Sequence, residues 1–489
     1  MADNDDSEVV YVCYECVGDD HLKEEIRREG HERECHFCGK TQKAWPLDEL
    51  AGRIQGVIEQ HFQITPSDPS EEGLPYDKDI DWERRGEPVA DVIAEIAELE
   101  PELAEAVRDR ISDQTSWDAH DGGYEDPFGS DTHYEEGRPD TGNFHESWWF
   151  FRQEIKTRSR FFGRLAQQAL DEIFGDLASL KTWQGTPAIK QILPTDEHRF
   201  CHRARIAYSE SELREILTAP VKKLGPPPSR LARAGRMNAA GISVFYGAIE
   251  DETCIAEARA PVGSYVVLGR FELIKPVRIL DLDVLTKVVT EGSWFHPEFT
   301  TRSNRAAFLR RLAAEISQPI MPRDEEFEYL PTQAVSEYLA SCVEPHLDGI
   351  IFHSAQTAGE GRNVVLFNHA AGVEPYALPK GTKVEINMGW ASEEDYDDSI
   401  TVWETVPVEK PVEKKRKAKN GPPNFADILE AATWEPPHEA DENDQFYGDP
   451  TLKLDIGNIE IFHIKGVSYH KSRRSVSRHR WTKDEKSHF

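Results

Sequence analysis

Cys13-x-x-Cys16 and Cys35-x-x-Cys38 stand in a C-x2-C-x18-C-x2-C pattern. Two such knuckles let four thiolates meet in a tetrahedron around one Zn²⁺. That requirement pins the chain from residue 13 to residue 38 before any hydrophobic core is considered. Zinc suits the set because thiolates are soft ligands and the site needs no redox change. Gly39 supplies the tight turn that follows a knuckle, and His31 and His36 stand near enough to substitute as ligands. Four thiolates leave no open coordination position, so the expected role is structural. A redox dithiol would call for a thioredoxin-like βαβ pattern, which is not apparent here. The chain has seven cysteines, an odd number, and the other three are scattered singly. This usage fits a reducing cytoplasm and not a disulfide framework.

Composition narrows the rest. At 489 residues the chain is expected to hold two to four domains with a sizeable core. It carries 57 Lys and Arg against 89 Asp and Glu, a formal net charge of −32. A surface this acidic argues against general affinity for nucleic acid. No run of about 18 apolar residues occurs, so no membrane span is expected. The acidic start MADNDDSE has no apolar segment of the secretory kind.

The hydrophobic period changes along the chain. Leu47, Leu50, Ile54, Val57, Ile58 and Phe62 recur at helical spacing, and a second helical pattern runs from 88 to 111 with a break at Pro101. Residues 113–146 are acidic and rich in Gly, Asp and Tyr, which predicts a long loop. Residues 148–174 begin WWFF, continue through Phe161 and Phe162, and read as one aromatic-rich helix. From residue 200 short apolar runs take over, at 243–249, 264–273, 277–283, 348–354 and 363–368, and these read as strands. Helices are expected at 305–318 and 332–343. Residues 390–450, including Lys414-Lys415-Arg416-Lys417, read as a linker, and the last forty residues hold an alternating segment, IGNIEIFHIKGVSYH.

One order of residues in the second half carries chemistry. Arg203, in a basic pair with Arg205, precedes an expected strand, and a guanidinium there can pair with phosphate oxygens. Gly235-Arg236-Met237-Asn238 is an expected turn that lets backbone approach a ligand. Tyr246 sits in a strand and can stack a ring. Glu257 opens a helix, and a carboxylate beside a ribose can stabilise an oxocarbenium-like transition state. Singly each residue is ordinary; their order is what suggests a dinucleotide such as NAD⁺. Neither GxGxxG nor GxxxxGK[ST] occurs, so no Rossmann or P-loop site is suggested.

The segments FCHRARIA, GRMNAAGISVFYGA, ETCIAEA and DGIIFHSAQTAGEGRNVVLFN resemble the RES domain family, over about residues 198–370. That resemblance implies an α+β fold like the diphtheria-type ADP-ribosyltransferases and a toxin activity that breaks the nicotinamide–ribose bond of NAD⁺. It implies a phosphate-binding role for Arg203, with Arg205 as competitor, and places the family's tyrosine on Tyr246 and its glutamate on Glu257. Arg236, Asn238, Ser354 and Asn363 are implied around the dinucleotide. Two departures stand out: Met237 where the family usually has an aromatic residue, and a longer stretch between Glu257 and Ser354. The N-terminal part is similar to the zinc-cysteine, HEPN-related region found before RES domains. A HEPN ribonuclease needs an arginine and a histidine near each other on a helix. The one match, Arg138 to His145, is expected in a loop, so ribonuclease activity is not expected.

The organisation expected is a four-cysteine zinc module at 1–45, a mostly helical HEPN/RES-type domain at 46–195, a RES domain at 198–380 and an extension at 381–489. The implied function is cleavage of NAD⁺ with water or phosphate as acceptor. The competing functions are ADP-ribosyl transfer to a macromolecule and a non-enzymatic zinc scaffold. An antitoxin or other regulatory protein and a second copy of the chain are the expected macromolecular partners.

Overall fold

The computed structural model describes residues 9–68, 82–115, 126–160, 163–321, 323–357, 359–391, 396–397, 399–407, 449–468 and 471–479. Phe161, Phe162, the Lys414–Lys417 run and part of the acidic stretch lie outside the described residues. The chain divides into two compact units, Met1–Lys190 with Leu280–Pro345, and Gln191–Ile279 with His346–Phe489. Helices and strands are mixed through the chain, as the α+β reading expects. Among the described residues no helix is long and apolar enough to cross a membrane.

The first unit opens on a three-stranded antiparallel ribbon in the order β1 (Tyr11–Cys13), β3 (Thr41–Pro46), β2 (His31–Glu34). Helix Leu47–His61 follows because Leu47, Leu50, Ala51, Ile54, Val57 and Ile58 form one buried stripe. The 88–111 pattern resolves into two helices, Val89–Ala97 and Pro101–Gln114. Glu98 closes the first in the left-handed region at φ 50°, and Pro101 begins the second, where the N–H it lacks would have had no helical partner. Their apolar faces join Val12, Leu22, Ile26 and Phe128 in a single core.

Three expectations in this unit are corrected. The stretch 113–146 is not all loop: the helix ending at Gln114 reaches into it, strand His133–Glu136 pairs with Phe62–Ile64 and Glu87–Pro88, and helix Gly142–Gln153 begins within it. The buried ring of Tyr134, 6.1 Å from that of Phe128, gives this acidic segment an apolar anchor. The single helix at 148–174 is broken: a π-turn spans Glu154–Arg158, Ser159 is extended, and the helix resumes at Arg164. His145 lies in the first turn of a helix and not in a loop, while Arg138 does precede it in loop. The extra length between Glu257 and Ser354 is largely two helices, Phe299–Ser317 and Glu325–Ser341, which belong to this first unit.

An eight-stranded sheet carries the second unit. Its strands in chain order are β4 (Ile189–Ile192), β5 (Phe200–Ala207), β6 (Phe245–Ala248), β7 (Tyr265–Leu273), β8 (Val277–Asp281), β9 (Gly349–His353), β10 (Arg362–Leu366) and β11 (Leu452–His463). Their order across the sheet is β11-β7-β5-β6-β10-β9-β8-β4, and the boundary between the units falls within β4 and β8. Cys201, Phe245, Val267, Phe271, Ile351, Val364 and Leu366 make a core on one face, with Phe245 and Phe271 edge to face at 4.9 Å. On the other face Ala248 and Leu268 receive Cys254 of the helix Asp251–Ala258. Strand β5 runs with β7 along its whole length, from Phe200 opposite Glu272 to Ala207 opposite Tyr265. It meets β6 at a single rung, Ala248 opposite His202. Beyond that rung the two strands part, and the split positions the site.

Candidate active site

A cavity of about 1030 Å³ opens where β5 and β6 diverge, lined by Arg203 to Ile206 of β5, by Val244 just ahead of β6 and by Tyr246 on it. Six of its lining residues are cations and none is a carboxylate. Arg203 is partly exposed, but its Nη1 is buried and has no hydrogen-bond partner among the described residues. Its guanidinium carbon lies 5.3 Å from the Phe245 ring centroid. Burial, then the neighbouring Arg205, pulls the Arg203 guanidinium down to about 10, so it remains a cation at neutral pH. A buried donor without a partner is costly, and this one is carried by a residue of the cavity wall. Cys201 and Cys254 stand near Arg203, and burial pushes both thiols up to about 12, so neither is a nucleophile at neutral pH.

The turn before β6 is stapled to Tyr246. The Tyr246 hydroxyl accepts from the Met237 N–H at 2.8 Å and donates to Asn238 Oδ1 at 3.1 Å. Asn238 Nδ2 donates to the carbonyls of Arg233, Ala239 and Ile242 at 2.9–3.1 Å. Gly235 closes the turn on Asn238, and a Cβ there would meet Tyr246 Oη and Asn238 Oδ1 at 2.7 Å. Glycine is therefore required by the approach of the tyrosine. Tyr246 and Asn238 both line the cavity, yet the Asn238 amide is used within the turn. Arg236 is half-buried in the turn and is not among the lining residues.

Glu257 is held by two donors on one oxygen. Ser354 Oγ donates to its Oε1 at 2.6 Å, and Asn363 Nδ2 donates to the same Oε1 at 2.8 Å. Oε2 takes no hydrogen bond from a described residue. Asn363 is opposite Ala248 on β6, and Ser354 follows β9 and is 1% exposed, so the sheet itself fixes both donors. The helix bearing Glu257 is tied at its start: Glu250 Oε2 accepts from the Arg362 N–H at 2.8 Å and from Thr253 Oγ1 at 3.3 Å. Gly361 lets Thr253 approach, because a Cβ there would lie 1.8 Å from Thr253 Oγ1.

The expected residues thus gather in two groups. Arg203, Arg205, Asn238 and Tyr246 line the cavity, and Glu257, Ser354 and Asn363 form one hydrogen-bonded cluster. Ala258, next to Glu257, lines the cavity. Lys222, Lys223, Arg230 and Arg233 on the cavity wall were not singled out from sequence. Their signal was there, four cations around Pro226-Pro227-Pro228, but a charge run between strands usually marks a solvated loop.

The four cysteines converge as their spacing predicts. The Sγ atoms of Cys13, Cys16, Cys35 and Cys38 lie within 4.8 Å of one another, with contacts of 3.5–3.7 Å for Cys13–Cys38, Cys13–Cys16 and Cys16–Cys35. Tetrahedral Zn–S bonds of about 2.3 Å place sulfurs about 3.8 Å apart, so the set fits a zinc ion. Gln42 Nε2 donates to Cys13 Sγ at 2.8 Å, as a thiolate would favour. Burial raises the Cys35 thiol, but the N–H groups of Cys13, Cys38 and Phe37 outweigh it and bring it down to about 7. His36 Nδ1 accepts from the Tyr11 N–H at 3.0 Å and His31 is exposed; neither is in the cluster. The protein therefore has a four-cysteine site able to hold a metal such as zinc.

Comparison with known families gives two matches. Residues 28–169 match the HEPN/RES N-terminal domain 1, and residues 204–385 match the RES domain. Arg203 falls one residue before the second match, while Arg205, Arg236, Asn238, Tyr246, Glu257, Ser354 and Asn363 fall inside it. Searches of curated proteins and of solved structures returned no match. The turn tyrosine, the braced glutamate and its two donors thus fall within the match of a chain that carries a RES domain, preceded in sequence by a HEPN/RES N-terminal domain.

Proposed function

We propose that this protein cleaves the nicotinamide–ribose bond of NAD⁺, passing ADP-ribose to water or to phosphate. The observation that carries this reading is the Glu257 carboxylate, held on Oε1 by Ser354 and Asn363 with Oε2 left for a substrate. A carboxylate fixed in this way needs no reorganisation when positive charge develops on the ribose. Arg203, with Arg205 beside it, binds the diphosphate from the cavity wall. Tyr246 stacks the nicotinamide and, through its hydroxyl, keeps the Gly235–Asn238 turn in place. As the C–N bond breaks, its electron pair leaves with nicotinamide. Glu257 Oε2 accepts from a ribose hydroxyl and stabilises the oxocarbenium ion, which water or phosphate then traps. With water the products are nicotinamide, ADP-ribose and a proton; with phosphate the sugar leaves as its 1-phosphate. The fold reading that goes with this is ADP-ribosyltransferase-like. The biological role is that of a toxin or defence effector acting by loss of NAD⁺, with the zinc-bearing region as its regulator.

The test is nicotinamide release from NAD⁺ by the purified full chain, with and without phosphate, beside Glu257→Gln. The variant keeps an acceptor oxygen for Ser354 or Asn363 but loses the charge, and release should fall by about 10²–10³-fold. Equal release by both proteins would remove Glu257 from the chemistry. Label from NAD⁺ appearing on a macromolecule would replace cleavage by ADP-ribosyl transfer.

A further inference from the structure

The cation count of the cavity exceeds what a diphosphate needs. Each phosphorus of NAD⁺ carries one negative charge, and Arg203 and Arg205 on β5 suffice to meet both. The wall between β5 and β6 adds Lys222, Lys223, Arg230 and Arg233. Lys223 is engaged by Glu215 at 2.9 Å. Arg230 and Arg233 make no ion pair among the described residues, and both are exposed.

These two arginines sit on a mount more rigid than a solvated loop requires. Pro226-Pro227-Pro228 restrict φ ahead of them. The Pro227 carbonyl accepts from the fully buried Ser243 hydroxyl at 2.6 Å. The Arg233 carbonyl accepts from buried Asn238 at 3.0 Å, and Ala232 accepts from the Gly241 N–H at 2.9 Å. Arg230 itself lies in the short 3-10 turn Ser229–Leu231. The same cavity displays two large side chains to solvent, Tyr208 at 66% and Leu231 at 70% exposure. An apolar side chain next in sequence to an unpaired arginine suits a base beside a phosphate.

We propose that Arg230 and Arg233 bind a phosphate monoester on the adenosine ribose, with Tyr208 and Leu231 holding the adenine, so that the preferred substrate is the 2′-phosphorylated dinucleotide, NADP⁺. A monoester adds about −1.5 to −2 charge at neutral pH, which matches the two unpaired guanidinium groups. This rests on the proposed cleavage reaction and names its substrate class.

The experiment measures binding of ADP-ribose and 2′-phospho-ADP-ribose to the full chain by calorimetry, and nicotinamide release from NAD⁺ and NADP⁺ in parallel. Wild type should bind the 2′-phosphorylated ligand about tenfold or more tightly, as charge-assisted pairs allow. An R230A/R233A variant should bring that ratio close to one. No preference in wild type, with NAD⁺ still cleaved, overturns the inference and leaves the reaction standing. A preference in binding with neither dinucleotide cleaved overturns the reaction and keeps the site. Phosphate-stimulated release that the variant abolishes, without any nucleotide preference, overturns the inference by giving the two arginines to a free phosphate.

Discussion

The four-cysteine site and the braced glutamate are both clusters of polar groups, and they are built on opposite rules. In the cysteine cluster the four sulfurs face one another, and Gln42 and the Cys13 N–H complete the shell. Nothing is left over for a substrate. At the candidate active site the bracing is one-sided: Ser354 and Asn363 occupy Oε1 of Glu257 and leave Oε2, while Arg203 Nη1 has no partner among the described residues. A closed set of ligands stabilises a fold, whereas an open set is offset by the stability of the rest of the structure and used on something that binds.

The largest effect expected from this contrast is at the closed site. Cys35→Ser removes one ligand and should abolish stoichiometric zinc by metal analysis, since structural zinc contributes about 10–16 kcal/mol of apparent binding energy. The ribbon β1–β3 should then lose amide protection in hydrogen exchange. Zinc retained at full stoichiometry would show that the four cysteines are not a single closed set.

A smaller effect is expected at the open site. Ser354→Ala removes one of two donors to Oε1 and should lower nicotinamide release by roughly 10–30-fold, the worth of about 1.5–2 kcal/mol for a hydrogen bond to a charged group. The loss should fall on kcat and leave KM within about threefold, because Ser354 acts by positioning Glu257, the group that meets the developing cation. A change in KM alone would make Ser354 a binding residue and blur the contrast.

The smallest is at the turn. Tyr246→Phe keeps the ring and removes the hydroxyl that joins Met237 and Asn238. It should cost about 1–2 kcal/mol of stability in denaturant unfolding of the full chain. A variant as stable as wild type would mean that the turn holds without the tyrosine.

Much of the site was legible because it is local. The cysteine spacing fixes four ligands within 26 residues, from Cys13 to Cys38, and they converge as expected. The strand runs around 245, 265, 277, 350 and 363 appear with shifts of a residue or two, because each is an apolar segment bounded by turn residues. The Ser354 and Asn363 contacts to Glu257 were not legible as contacts. They bring together residues 97 and 106 positions apart, and only the β6–β10–β9 register makes them neighbours. The break at Glu154–Arg158 was hidden by a helical pattern that continues on both sides of it.

The sequence by itself determined the local chemistry: the paired cysteine knuckles, the apolar periods, the glycine turn before Tyr246 and the order of arginine, tyrosine and glutamate. Those features act over a few bonds and leave a pattern in the residues. The tertiary structure alone decided which strand neighbours which. Segment Leu452–His463 alternates but names no partner, and it becomes the edge strand beside β7. The inserted helices between Glu257 and Ser354 join the first unit although the chain leaves the second to reach them. Strand β5 parts from β6 after one rung, and that opening makes the cavity. Pairing between distant strands depends on packing summed over a whole face, and no single segment records that sum.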